Sequence, residues 1–248
     1  LIVAVDTTDN ILDNFSPTEI IDAMDKVAMP GFVDPHTHPI FVHTRENEFE
    51  MRLAGKSYVE ISPAGGGIRS TISTPKHASE EQLYELAKER IKKMISCGTT
   101  TLEAKSGYGL DTVSELKQLR VIDFLRKREK IDIVPTFMGA HEFPVEYKDN
   151  HRGYIDILVN EMIPQVAQSG LAEYCDIFTE DHVYSLSESR EILQCAKNHG
   201  LKLKMHADEI VPIGGAELAA ELECVSADHL GAASEAGIKA LARKGVIA

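Results

Sequence analysis

The chain has 248 residues, 43% of them hydrophobic and 26% charged, with a net charge of −13. That is enough chain for one large core, and α/β barrels close at about 250 residues. Lys and Arg are dispersed rather than gathered into a phosphate-tracking patch, and no apolar run nears the roughly 20 residues that span a bilayer, so nucleic acid and membranes are not expected partners. Cys97, Cys175, Cys195 and Cys224 are far apart and form no C-x-x-C pair, which fits reduced thiols in a cytoplasmic protein.

In chain order, Leu1 to Val5 is apolar and Asp6 to Asp25 is acidic and turn-rich, so residues 1–30 read as the remnant of a small β domain. Residues 31–248 read as one catalytic barrel, with Phe32-Val33 as the core of its first strand. Phe49 to His77 reads as a long connection whose Gly65-Gly66-Gly67 permits a lid or close backbone approach. No G-K-[ST] follows the glycines, so a phosphate loop is not expected. Thereafter short apolar runs alternate with longer amphipathic ones. Strands are expected over Thr99 to Ala104, Ile131 to Met138, Tyr174 to Thr179, Leu201 to Met205, Cys224 to Ala227 and from Val246 onward. Helices are expected over Glu80 to Ser96, Val113 to Lys127, Gly153 to Gln168, Leu186 to Asn198, Gly214 to Leu222 and Ser234 to Arg243. Ser79 offers an N-cap, and Gly98 and Gly200 follow helical runs where a left-handed residue is wanted.

This pattern predicts an α/β fold with about six βα units and the start of a seventh. As a (β/α)8 TIM-type barrel it would be incomplete, truncated before strand eight, in keeping with a chain that opens on Leu1 and ends on Gly245-Val246-Ile247-Ala248. A doubly wound open sheet has similar spacing. Polar residues follow nearly every strand, however, and a barrel gathers such residues into one site where an open sheet binds at one switch point.

The strongest local signal is Phe32-Val33-Asp34-Pro35-His36-Thr37-His38, an apolar strand ending in two histidines one residue apart. Positions i and i+2 share a face of a strand, so both imidazoles can reach one metal, and neutral nitrogen ligands suit zinc or iron. His141, His206 and His229 follow later strands at the same predicted end of the sheet. His43, His77, His151, His182 and His199 fall in loops or helices and read as surface residues. Glu209, three residues after His206, has the spacing of a general acid beside a metal.

These features resemble the amidohydrolase superfamily and, within it, the imidazolonepropionase family. The resemblance rests on Pro30 to His38, Phe49 to Tyr58, Gly65 to Thr71, Lys105-Ser-Gly-Tyr-Gly-Leu110, Gly139-Ala-His141, His206-Ala-Asp-Glu209 and Ala227-Asp-His-Leu230. It implies one zinc or iron ion held by His36, His38 and His206, with an Asp from strand eight that has no counterpart in these residues. It also implies hydrolysis of the cyclic amide of 4-imidazolone-5-propanoate to N-formimidoyl-L-glutamate in histidine degradation. Arg45, Tyr108, His141 and Glu209 match substrate-contacting positions, the Arg45 fork suiting a carboxylate tail and His141 offering a hydrogen bond to an oxygen. Glu209 and His229 are the expected proton-handling pair. The region where binuclear relatives carry a carboxylated lysine holds Glu180 and Asp181, which read as structural. A homodimer is the assembly the family implies. Two other readings stand beside this one: a related metal-dependent ring deaminase, since H-x-H with a later H-x-x-E serves both, and a catalytically incomplete metal-binding fragment.

Overall fold

The structure is a computed structural model that describes residues 2–56 and 68–248. Contacts divide the chain into two units, Leu1–Gly31 and Phe32–Ala248. The described residues of the first unit hold a helix, α1 (Thr8–Asn14), and no strand, where the sequence reading expects β structure. Local polar groups favour that helix: the Thr7 hydroxyl accepts from the Asn10 N–H, and Asp6 accepts from the Thr7 N–H and the Asn10 side chain.

The second unit is built on six parallel strands, β1 (Phe32–Asp34), β2 (Thr99–Lys105), β3 (Asp132–Ala140), β4 (Tyr174–Thr179), β5 (Lys202–Ala207) and β6 (Ser226–His229). Each strand pairs with the next in sequence, in the order β1-β2-β3-β4-β5-β6. An open doubly wound sheet reverses its strand order at a switch point; this sheet does not, and it is the curled half of a TIM-type barrel. Beyond β6, Ile247 forms a parallel bridge to Ser226, the beginning of the seventh neighbour expected from Val246 onward.

Among the described residues the helices are α2 (Glu46–Leu53), α3 (Ile68–His77), α4 (Glu80–Ser96), α5 (Thr112–Arg128), α6 (His151–Ile157), α7 (Ile163–Ser169), α8 (Leu186–Asn198), α9 (Gly215–Leu222) and α10 (Glu235–Lys244). Ser79, Asp111, Ser185 and Ser234 cap α4, α5, α8 and α10, and Ser185 with Glu188 completes a capping box. Gly98 and Gly200 take φ of 97° and 86°, the left-handed conformation expected of them. Buried Leu83, Ala87 and Ile91 recur at helical spacing along α4, which packs on α5, a helix that itself buries Leu119, Ile122 and Leu125. The single helix expected over Gly153 to Gln168 is α6 and α7 joined by a π-turn, Leu158–Met162. Pro164 lies just beyond that turn, and a proline that cannot donate to the helical ladder is a common reason for such a re-registration.

The connection expected over Phe49 to His77 is partly helical, because α2 and α3 occupy its ends. Glu46 and Glu48 in the first turn of α2 favour a helix start. Tyr58 and Gly65-Gly66-Gly67 lie outside the described residues. No helix among the described residues is long and apolar enough to cross a membrane.

Candidate active site

β1 ends at Asp34, so His36 and His38 stand just beyond it rather than within it. The backbone stays beside β2, with the Lys105 N–H donating to the Thr37 carbonyl and the Thr37 hydroxyl to the Glu103 carbonyl. That keeps the segment extended, and both rings face the mouth of the half-barrel. His206 arrives from the end of β5 and His229 from the end of β6. The His36 ring centroid lies 4.4 Å from that of His206, 5.0 Å from His229 and 5.3 Å from His38, while His38 stacks on His141 at 4.8 Å. One cavity is lined by His36, His38, Arg45, Tyr108, His141, His206, Glu209 and His229, which is every site residue expected from the sequence. Arg52 and Phe178 complete its wall and were not anticipated.

The donor set suits a metal. The Nε2 atoms of His38 and His206 are 3.4 Å apart, and the Nδ1 of His38 is buried with no hydrogen-bond partner. Burial pushes His38 well below the usual imidazole range and His206 down to about 3, so both rings are neutral and keep a lone pair for coordination. His36, His206 and His229 each present a nitrogen within 4.8 Å of the others. By that spacing His229 stands beside the set that the resemblance assigns to His36, His38 and His206.

Beneath the rings lies a layer that the sequence reading missed. The His36 Nδ1 is 2.9 Å from Asp228 Oδ2, and the His206 Nδ1 is 3.1 Å from Asp176 Oδ1. Such carboxylates fix the tautomer and aim Nε2 outward. Burial raises Asp176, but His206 and Lys105 beside it overcome this and hold it well below the usual carboxylate range. Glu103, Lys105 and Lys204 complete the layer, all three buried. Their signal was available: Glu103 and Lys105, like Lys204 and His206, are charged or polar positions two apart on strands, and so share one face.

Tyr108 and His141 are held by one tight loop. Gly107 adopts φ 114°, and its carbonyl lies 2.9 Å from the His141 Nδ1. Buried Glu115 accepts from the N–H groups of Gly109 and Leu110 at 2.8 and 2.9 Å. Burial lowers His141 to about 4, against the opposing pull of the Gly107 carbonyl. The neutral ring therefore donates through Nδ1 to Gly107, and its Nε2 accepts. This reverses the donor role expected of His141, because the loop uses up its one proton.

On the opposite side, Glu209 Oε2 lies 3.7 Å from the His229 Nε2. Both neighbourhoods are strained: Asp208 and His229 take positive φ of 47° and 72°. Asp208 is held there by N–H bonds from Gly214, Gly215 and Ala216 at 3.1, 2.9 and 2.8 Å. Glu180 accepts from Ile210 at 2.9 Å and Val211 at 3.3 Å, so it anchors the loop that carries Glu209. Arg45 occupies the N-cap position of α2 without a side-chain cap, 3.8 Å from Glu48, and Arg90 donates to the carbonyls of Pro39 and Phe41.

Parallel strands in sequential order, with histidines gathered where they end, define the class: an incomplete (β/α)8-type barrel with a histidine-lined mouth. Solved structures agree on the fold. The 5-methylcytosine deaminase of Klebsiella pneumoniae superposes with a TM-score of 0.66 at 17% identity, over 98% of this chain and 57% of that one. Adenine deaminase of Arthrobacter aurescens superposes at 0.54 and 12% identity, over 88% and 71% of the two chains. No family model matches the sequence. By sequence the chain is similar to curated imidazolonepropionases: it is 51% identical over 250 residues to that of Clostridium tetani and 50% over 251 residues to that of Geobacillus sp. strain WCH70. It spans 60% and 59% of those two relatives.

Proposed function

We propose that this chain forms the larger part of the active site of an enzyme that hydrolyses the cyclic amide of 4-imidazolone-5-propanoate to N-formimidoyl-L-glutamate. The observation that carries the reading is the convergence of His36, His38 and His206 on one cavity that also presents Arg45. His36, His38 and His206 would hold one zinc or iron ion. Such an ion, when bound, lowers the pKa of water from 15.7 towards about 7 and polarises a carbonyl.

The remaining chemistry belongs to the side chains. Arg45 binds the carboxylate tail of the substrate, and the Tyr108 hydroxyl donates to it. His141 Nε2 accepts a hydrogen bond from a ring N–H, the polarity that its Gly107 contact dictates. His229 takes the proton of the attacking water, and Glu209, 3.7 Å from it on the same side of the cavity, delivers one to the ring nitrogen as the C–N bond breaks. The reading includes a small-molecule partner, a cytoplasmic location supported by four unpaired cysteines, and a homodimer supported by the family resemblance.

The test is turnover of 4-imidazolone-5-propanoate by the zinc- or iron-loaded protein, followed by loss of the imidazolone absorbance. Glu209→Gln is expected to lower kcat by about 10²–10⁴-fold with metal content unchanged. Ammonia release from an aminated heterocycle, with imidazolone propionate untouched, would replace the reading by a ring deaminase. Stoichiometric metal with turnover of neither would leave a metal-binding chain.

A further inference from the structure

The Lys105-Ser106-Gly107-Tyr108 stretch contributes Tyr108 to the cavity, but its lysine does not line it. Lys105 is fully buried inside the half-barrel. Its Nζ lies 2.6 Å from Asp176 Oδ2, 2.7 Å from Glu103 Oε2 and 3.6 Å from Asp228 Oδ2. Lys204 flanks the same group, 2.8 Å from Glu103 and 3.6 Å from Asp228, and donates to the Pro35 carbonyl. Barrel interiors are filled mostly by branched apolar residues, and buried ion pairs rarely add stability over such packing. A role other than filling space is therefore required of these charges.

The two aspartates that Lys105 shares are the two that contact the metal-facing rings. Asp176 gives Oδ2 to Lys105 and Oδ1 to the His206 Nδ1. Asp228 gives Oδ2 to the His36 Nδ1 and lies within reach of both lysines. We propose that Lys105 is a positioning residue: through Asp176 and Asp228 it holds His206 and His36 as Nδ1–H tautomers with Nε2 directed into the cavity. The inference rests on the metal-hydrolase reading of that cavity, but the mechanism is in the metal-free chain. Without the ammonium, Asp176 loses its 2.6 Å partner, Asp228 keeps only Lys204 of its two lysines, at 3.6 Å, and the two aspartates would repel one another across the gap it leaves. One buried lysine thus couples two rings that come from β5 and from the segment after β1.

The experiment uses ¹⁵N NMR of histidine side chains in metal-free protein, together with Co²⁺ affinity from competition with a chromophoric chelator. The wild type is expected to show Nδ1–H tautomers at His36 and His206. Lys105→Met is expected to give mixed tautomers at both rings and a Co²⁺ affinity lower by about 10- to 100-fold, the cost usual for losing such outer partners. Unaltered tautomers and affinity in Lys105→Met would overturn the proposal. If that variant does not fold, Asp176→Asn carries the test. Tautomer mixing at His206 with His36 unchanged supports the proposal, and equal loss at both rings overturns it in favour of a general structural role. A wild type that binds no Co²⁺ would defeat the metal reading, and the tautomers of the metal-free protein would still decide the positioning.

Discussion

The Nε2 atoms of His38 and His206 face each other at 3.4 Å, and the other nitrogen of His38 is buried without a partner. A buried polar atom left unpaired costs about 1–3 kcal/mol, so the metal-free chain carries this pair at a loss. That loss is the mark of a site shaped for a ligand rather than for stability.

His38→Leu should therefore separate stability from binding. In metal-free protein, urea unfolding is expected to show a gain of about 1 kcal/mol, because the orphaned nitrogen is gone. Co²⁺ affinity is expected to fall by more than about 100-fold, beyond the cost of losing an outer partner. A metal-free variant that is less stable, or a retained affinity, would contradict the assignment.

Arg45 faces the cavity while remaining 39% exposed near Glu48. Losing a hydrogen-bonded charge costs about 1.5–3 kcal/mol, so Arg45→Met should lower kcat/KM by about 10- to 100-fold. Arg45→Lys should recover only part of this, because an ammonium cannot grip a carboxylate with two parallel bonds. Steady-state kinetics on 4-imidazolone-5-propanoate measures both, and equal values for Lys and Arg would argue against the fork.

A Cβ on Gly107 would lie 2.9 Å from both the His141 Nδ1 and the Met138 carbonyl, on a backbone at φ 114°. Gly107→Ala should lose roughly 1–3 kcal/mol in urea unfolding and disturb the His141 ring. Gly170 has φ 65° with nothing within 4 Å of its would-be Cβ, so Gly170→Ala should lose only about 1 kcal/mol. A reversed order would mean that the loop is not tight.

His141 is expected to shape the acid limb of stability. Burial lowers its pKa to about 4 from 6.5, so between those values the unfolded chain binds the proton and the folded chain does not. Stability contributed by the neutral ring is complete above pH 6.5 and is lost as the pH falls towards 4, by on the order of 3 kcal/mol. Urea unfolding of metal-free protein at pH 7 and pH 4.5 should show a larger loss for the wild type than for His141→Gln. Equal losses would place the acid sensitivity elsewhere.

Much of this was legible locally. Helix α4 begins after Ser79 and ends before Gly98, and α8 ends before Gly200, where those residues say they should, since caps act within a turn of the chain. The histidines were legible because they follow apolar runs, and strands in a barrel all end on one side. The short helix α2 was missed for want of a long periodic pattern, and the proton of His141 could not be placed without the Gly107 carbonyl.

The sequence by itself determined that His36, His38, His141, His206 and His229 would meet at the mouth of the barrel, because strand periodicity and loop position are short-range properties, while Arg45 and Tyr108 were reached only through the family resemblance. Only the tertiary structure decided what stands behind them. Asp228 reaches His36 across 192 residues and Asp176 reaches His206 across 30, with Lys105 of a third strand joining both carboxylates. A carboxylate on a strand reads the same in sequence whether it meets water or an imidazole; the curl of the sheet brings these into the barrel, where each must find a partner.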